Sequence, residues 1–263
     1  IADVKKVSTK NLKSFHETNY GLGNMRIVVV GDVDNNAISK ALKHAFKDWK
    51  KSKLFIPDLT LSANDAGPKT HYVTVKDKTS VDMFMGVPIG IDNTHEDYYS
   101  LMVANYILGG NFAARLMQTV RDKMGLTYGV YSSIRGASNG NDGYWSVWGT
   151  FAPEMLKKGK QAVADQVNGW VKGITDAELS AKKETITGSY KVGLATTGGL
   201  AGQIIRNAER GHDDSMLDEY PSIIQKLTLK QINEAIKKYI NPEKLVIVAA
   251  GSIDKDGQPL KEQ

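Results

Sequence analysis

Val81, Met83, Met85, Val87 and Ile89 recur at every second position, the period of a strand with one buried face. Residues 71–76 form a shorter run of the same kind, and the two predict paired strands. Residues 128–135 and 144–151 predict a hairpin, with Asn139-Gly140 as its turn signal. Other stretches keep a helical period. Residues 36–49 carry Ile38, Leu42, Ala45, Phe46 and Trp49 on one side. Asn93 with Glu96 reads as a capping box for a helix running to Leu108. Pro153 suits a first helical position, followed by a stripe of Leu156, Val163, Val167 and Trp170. Thr175 with Glu178 caps the next helix, bearing Leu179, Ile186 and Tyr190. A shorter helix covers 200–210 and stops at Gly211, and Thr228 with Gln231 starts the last one before a final strand. Hairpins with helix pairs predict an α+β fold, an antiparallel-rich sheet with helices packed on one face.

The two ends of the chain repeat each other. Residues 12–34 align without gaps on 232–254: an amphipathic helix, a short turn, then an apolar strand closing on Gly-x-Val-Asp (Gly31 to Asp34) or Gly-x-Ile-Asp (Gly251 to Asp254). Residues 1–56 are therefore expected to be the tail of a first module and 70–263 a complete second one. Residues 57–69 form a linker marked by Pro57, Gly67 and Pro68.

Composition narrows the chemistry. The 263 residues suffice for one large domain or one domain plus part of another, and no apolar run approaches the roughly 18 residues of a membrane helix. Ile1 opens the chain without initiator Met or leader, so we expect a fragment or processed product. The absence of cysteine removes disulfides, thiol catalysis and cysteine-ligated zinc. Net charge is +5, but the lysines scatter over polar helix faces without interleaved aromatics, which argues against a nucleic-acid surface.

The densest local signal is Gly109 to Tyr128. Gly109-Gly110 close one helix and Asn111 caps the next, which carries Ala113, Leu116, Met117, Val120 and Met124 on one face. Gly125 supplies a left-handed stop with Leu126 folding back. Arg121 falls one turn before that stop and Tyr128 opens a strand, bringing a guanidinium and a phenol to one corner. A helix-end cation and a half-wet strand residue also account for the two.

The glycine pair, the Arg-bearing helix and Gly-Leu-x-Tyr with Arg and Tyr seven apart resemble the second half of the pitrilysin, insulysin and mitochondrial processing peptidase family. These are zinc peptidases with an inverted H-x-x-E-H motif. The resemblance covers nearly the whole chain and implies a processing-peptidase-like metallohydrolase fold with two such modules in tandem. It also implies substrate-binding roles for Arg121 and Tyr128, reaching across to a peptide bound at the metal of the other half. Gly109 and Gly110 are either a substrate-facing loop or a plain helix end. His16, His44, His71, His95 and His212 include no two four positions apart, and Asn105 and Asn111 are poor zinc ligands, so the metal motif is missing here.

No catalytic or metal-binding residue is therefore assigned in this chain; zinc is expected in an upstream half or a separate subunit. The fragment alone is expected to bind no zinc and hydrolyse no peptide. The competing reading is a catalytically silent scaffold or heterodimer subunit of the same fold. Expected partners are the zinc-binding half, a peptide substrate and a homo- or heterodimer mate, not nucleic acid or a membrane span. Exported bacterial relatives imply a periplasmic location, with the cytoplasm as alternative. Gly109-Gly110 lacks the Lys-Ser or Lys-Thr of a phosphate loop, Asp32 and Asp34 read as a strand-end turn, and Trp145 and Trp148 point to opposite faces of one strand.

Overall fold

The computed structural model describes residues 2–23, 25–50, 67–137 and 142–260, and the chain divides into two compact units. The first comprises Ile1–Leu59 and Val192–Leu217. It holds helices α1 (Ala2–Lys6), α2 (Thr9–Asn19), α3 (Asn35–Ala45) and, from the later segment, α7 (Thr197–Glu209). Ser8 and Asn11 form a reciprocal capping box on α2, and Asp34 Oδ1 accepts the Ala37 N–H at 2.6 Å to start α3. Thr196 does the same for α7, which begins three residues before the expected start because its hydroxyl takes the Gly199 N–H.

The apolar strand expected within residues 12–34 does not form. Residues 25–30 lie outside any strand, and Ile27 and Val29 stay exposed. A strand exists only by pairing, and no described residue pairs with this segment. Helix α3 also ends at Ala45, short of Trp49, which instead packs edge-on against Phe46.

The second unit, Thr60–Lys191 with Asp218–Gln263, contains the sheet. Its strands are β1 (Lys69–Thr74), β2 (Val81–Pro88), β3 (Gly129–Arg135), β4 (Tyr144–Phe151) and β5 (Val246–Gly251), in the order β1-β5-β2-β4-β3. Only β1 and β5 run parallel. The expected direct pairing of β1 with β2 is thus corrected: β5, the last strand of the chain, inserts between them. Ser252 secures that insertion, its hydroxyl donating to the Val75 carbonyl and accepting the Lys78 N–H. The β3–β4 hairpin is present; its Asn139-Gly140 turn and linker residues 57–66 lie outside the described residues.

Val81, Met83, Met85 and Val87 face helices α4 (Tyr98–Gly109), α5 (Leu156–Val171) and α9 (Leu229–Tyr239), whereas Asp82, Phe84 and Pro88 are exposed on the opposite face. Among the described residues of this unit, helices cover one side of the sheet, and the other, open face carries exposed side chains. At the centre of the covered side, Trp145 and Trp170 stack at 5.6 Å. Their indole N–H groups donate to Asn105 Oδ1 at 3.1 Å and the Ala104 carbonyl at 3.0 Å. Asn105 and Ser132 also bond each other's backbone carbonyls. Every polar atom that the tryptophans bring inside is thus matched, and α4 is tied to β3 and β4.

Asn93 and Glu96 do not cap α4. The helix starts at Tyr98 after Asp97, whose carboxylate is taken by Lys238 Nζ at 2.7 Å and Tyr239 OH at 2.6 Å rather than by its own first turn. Those bonds hold the Asp97 carboxyl below its usual range. The capping boxes at Thr175, opening α6 (Asp176–Leu194), and at Thr228, opening α9, are formed. Two helices have no counterpart in the sequence pattern: the short α1, and α8 (Met216–Lys226) with Pro221 inside it. Burial of Ile224 and ring contacts of Tyr220 with Tyr190 and Tyr99 outweigh the propensity penalty of proline.

Candidate functional site

The stretch from Gly109 to Tyr128 folds where α4 ends against β3. Gly109 is buried, and a Cβ there would lie 2.5 Å from the Ser132 amide nitrogen and 2.7 Å from Leu116 Cδ1. Only a residue without a side chain lets α4 meet β3 this closely. Gly110 is exposed at the helix end, its N–H bonded to Tyr106. Asn111 then ties the turn in two directions, donating to the Tyr106 carbonyl at 2.8 Å and accepting the Ala113 N–H at 3.0 Å.

The following helix is wider than expected. Met117–Lys123 is a π-helix, a form that recurs at functional sites. Ala114, Leu116, Met117 and Val120 are buried. Ala113 and Met124, expected on that face, are exposed: Ala113 lies in the turn before the helix, and the wider turn carries Met124 out of the 3.6 register. Gly125 stops the helix at φ 63°, with Gly125 N–H bonding Arg121 O and Leu126 N–H bonding Val120 O. Thr127, the unspecified position of Gly-Leu-x-Tyr, donates its hydroxyl to the Thr150 carbonyl and accepts the Gly129 N–H. That pins the chain on both sides of Tyr128.

The result is a guanidinium held against a phenol. Arg121 Cζ lies 5.4 Å from the Tyr128 ring centre and 6.0 Å from that of Phe112. Its acidic contact is the adjacent Asp122, at 3.7 Å. Tyr128 is 85% exposed and Phe112 69%. Both aromatics flank a cation whose planar fork carries five N–H donors.

A second layer, invisible as a local motif, braces this corner. Arg115 grips Glu178 with both ends of its fork, Nε to Oε1 at 2.6 Å and Nη2 to Oε2 at 2.7 Å, and also reaches the Gly173 carbonyl. Glu178 belongs at the same time to the Thr175 capping box. The Arg115 hydrogen bonds, aided by those from Thr175, hold its carboxyl down to about 2. Lys182 donates to Asn111 Oδ1 and the Ala113 carbonyl, and burial lowers its pKa. Glu178 has a capping signal in the sequence; its partner 63 positions away has none.

Trp145 and Trp148 do face opposite ways, the first in the core and the second on the open face. Among the described residues no three His, Asp or Glu side chains converge as a metal would require, so the donor set here does not fit zinc, and none of the helices is long and apolar enough to cross a membrane.

Comparison with known proteins agrees with this architecture. The family model described as the peptidase M16 inactive domain matches residues 6–186. An uncharacterised zinc protease of Streptomyces coelicolor is 26% identical over 85% of this chain and 50% of its own length. A non-peptidase homologue of Helicobacter pylori is 24% identical over 96% of the chain and 58% of its own. The crystal structure of a peptidase M16 inactive domain from Pseudomonas fluorescens superposes with a TM-score of 0.83 at 26% identity, covering 100% of this chain and 60% of that one. The chain thus spans about half the length of the curated relatives it matches.

Proposed function

This chain belongs to the peptidase M16 inactive domain family, and on that premise we propose that it is the substrate-gripping half of a zinc-dependent endopeptidase. The observation that carries the proposal is the pairing, at 5.4 Å, of a half-buried Arg121 with an exposed Tyr128, set on a braced frame. A solvated surface pair held only for stability contributes little, about 0.5–1 kcal/mol. In the proposed role Arg121 donates to a backbone carbonyl of bound peptide, and Tyr128 OH steadies the negative charge that grows on the scissile carbonyl. Gly110 borders the peptide, while Gly109 acts by letting α4 close on β3. Zinc, carried by an upstream or separate half, would supply Lewis-acid polarisation and an activated water.

Residues 1–56 are read as the tail of a first module and 70–263 as a second, joined by 57–69. The division of the chain into two compact units supports that break, although residues 192–217 group with the first unit. A periplasmic location belongs to the same proposal. The scaffold reading is favoured by one observation, the relative named a non-peptidase homologue. Reconstitution separates the two. This chain alone is expected to hydrolyse nothing, and mixing it with the half that carries H-x-x-E-H is expected to restore peptide hydrolysis. Stoichiometric zinc bound at nanomolar affinity by this chain alone, or full activity of the zinc half without it, would overturn the proposal.

A further inference from the structure

The open face of the sheet carries an aromatic row. Reading across the paired strands β1, β5, β2, β4 and β3, His71, Val248, Phe84, Trp148 and Tyr131 are successive neighbours. Trp148 stacks on Tyr131 at 6.3 Å, with their planes 7° apart. Phe112 meets Tyr131 edge-on at 5.9 Å, and Arg121 lies over Phe112 at 6.0 Å. Ring contacts therefore run without a break from the Arg121–Tyr128 corner onto the sheet.

Phe84, Trp148 and Tyr131 of that row line a trough of about 450 Å³. Ligand sites generally fall within about 300–1,000 Å³. Phe84, Tyr131, Tyr144 and Trp148 wall it, and Ser146 lies at its base. Ser146, small among these large residues, pairs across the strands with Gly86 of β2. A Cβ on Gly86 would stand 2.5 Å from the Trp145 carbonyl oxygen, so that position stays bare. Arg135 also lines the trough, its Nε donating to Ser133 Oγ at 3.2 Å, and no lining residue is acidic. A lone exposed aromatic is ordinary, whereas four converging on one concavity mark a contact site. The volume suits one or two side chains, not a docked domain, which would cover about 800 Å² per partner.

We propose that this trough is a second subsite for the same peptide, taking an aromatic or large aliphatic side chain of an extended substrate. This rests on the peptide-gripping reading of Arg121. Three contacts of about 6 Å separate the guanidinium from Trp148. Extended chain advances about 3.3 Å per residue, so the anchored side chain lies within about six positions of the residue that Arg121 grips. Arg135, at the Tyr144 end of the trough, favours an acidic over a basic flank there; Asp82, whose Oδ1 accepts the Trp148 indole N–H at 3.2 Å, stands toward the Thr150 end.

The test uses the complete protein in EDTA, which stops turnover, and fluorescein-labelled peptides in which one Phe is moved through an otherwise Ala- and Ser-based sequence. Anisotropy is expected to show one position where Phe binds at least about tenfold tighter than Ala, the scale of burying one such ring. Trp148→Ala and Phe84→Ala are each expected to cut that preference to within about threefold, and Trp148→Phe to retain most of it. A Glu beside the Phe tightens binding and a Lys weakens it, a contrast lost in Arg135→Ala. Circular dichroism confirms that each variant is folded, and Phe84, half exposed, is removed without opening the core. No Phe preference at any position, or a preference intact in both Ala variants, overturns the trough. Zinc-dependent turnover of the Phe-free peptide is measured on the same proteins. If it needs Arg121 while the side-chain preference is absent, the trough alone fails; if it ignores Arg121, the gripping reading fails whatever the trough does.

Discussion

Glu178→Gln isolates the brace behind the site. The amide keeps the volume and can still serve the Thr175 capping box, but it removes the charge that Arg115 grips at 2.6 and 2.7 Å. A carboxyl held at about 2 in place of 4.5 corresponds to about 3 kcal/mol of preference for the ionised form. The Glu178 side chain is 30% exposed and Arg115 21%, so solvent screening brings this to about 1–2 kcal/mol. Because the folded-state pKa is depressed, the contribution is complete above pH 4.5 and is lost as pH falls toward 2. By about pH 3 more than half of the difference between wild type and Glu178→Gln should be gone. Urea titrations followed by circular dichroism at pH 7 and pH 3 measure both quantities. A difference under about 0.5 kcal/mol at pH 7, or one of equal size at both pH values, refutes the reasoning.

Gly109→Ala places a methyl 2.5 Å from the Ser132 amide nitrogen and should lower stability by about 1–3 kcal/mol, read as a fall in Tm. Asn105→Ala leaves the buried Trp145 N–H without its acceptor and should cost about 1–3 kcal/mol by the same assay. Gly125→Ala, at φ 63°, should cost about 1 kcal/mol and broaden amide exchange at the Arg121 end of the π-helix.

Much of the fold is written in short-range pattern. The alternation at Val81–Val87, the β3–β4 hairpin, the caps at Thr175 and Thr228 and the stop at Gly125 each need only a few adjacent residues, and each forms. What the local pattern misses is non-local. Nothing near Lys69 announces that a strand 177 positions later, beginning at Val246, will take the place beside it. Nothing near Arg115 announces Glu178. Residues 25–30 have strand composition but no described neighbour to pair with, and composition cannot supply one. The corner itself was legible as a juxtaposition of Arg121 and Tyr128. Phe112, which bridges Arg121 to the open-face aromatics, was not, because its contacts depend on the turn made by Asn111 and on a ring from β3.

The central claim is that Arg121 and Tyr128 act on substrate, and kcat/KM of the complete enzyme, zinc half included, tests it most directly. Arg121→Ala removes the donor fork and leaves Leu116, Met117 and Val120 in the core; Tyr128→Phe removes one hydroxyl from an exposed ring. Loss of a single oxyanion-type donor costs on the order of 100-fold. Both variants are predicted to fall by about that factor in kcat/KM, with zinc content at wild-type level and stability within about 1 kcal/mol. Activity within about twofold of wild type in both would contradict the account and reduce the pair to a helix-end cation beside an exposed ring.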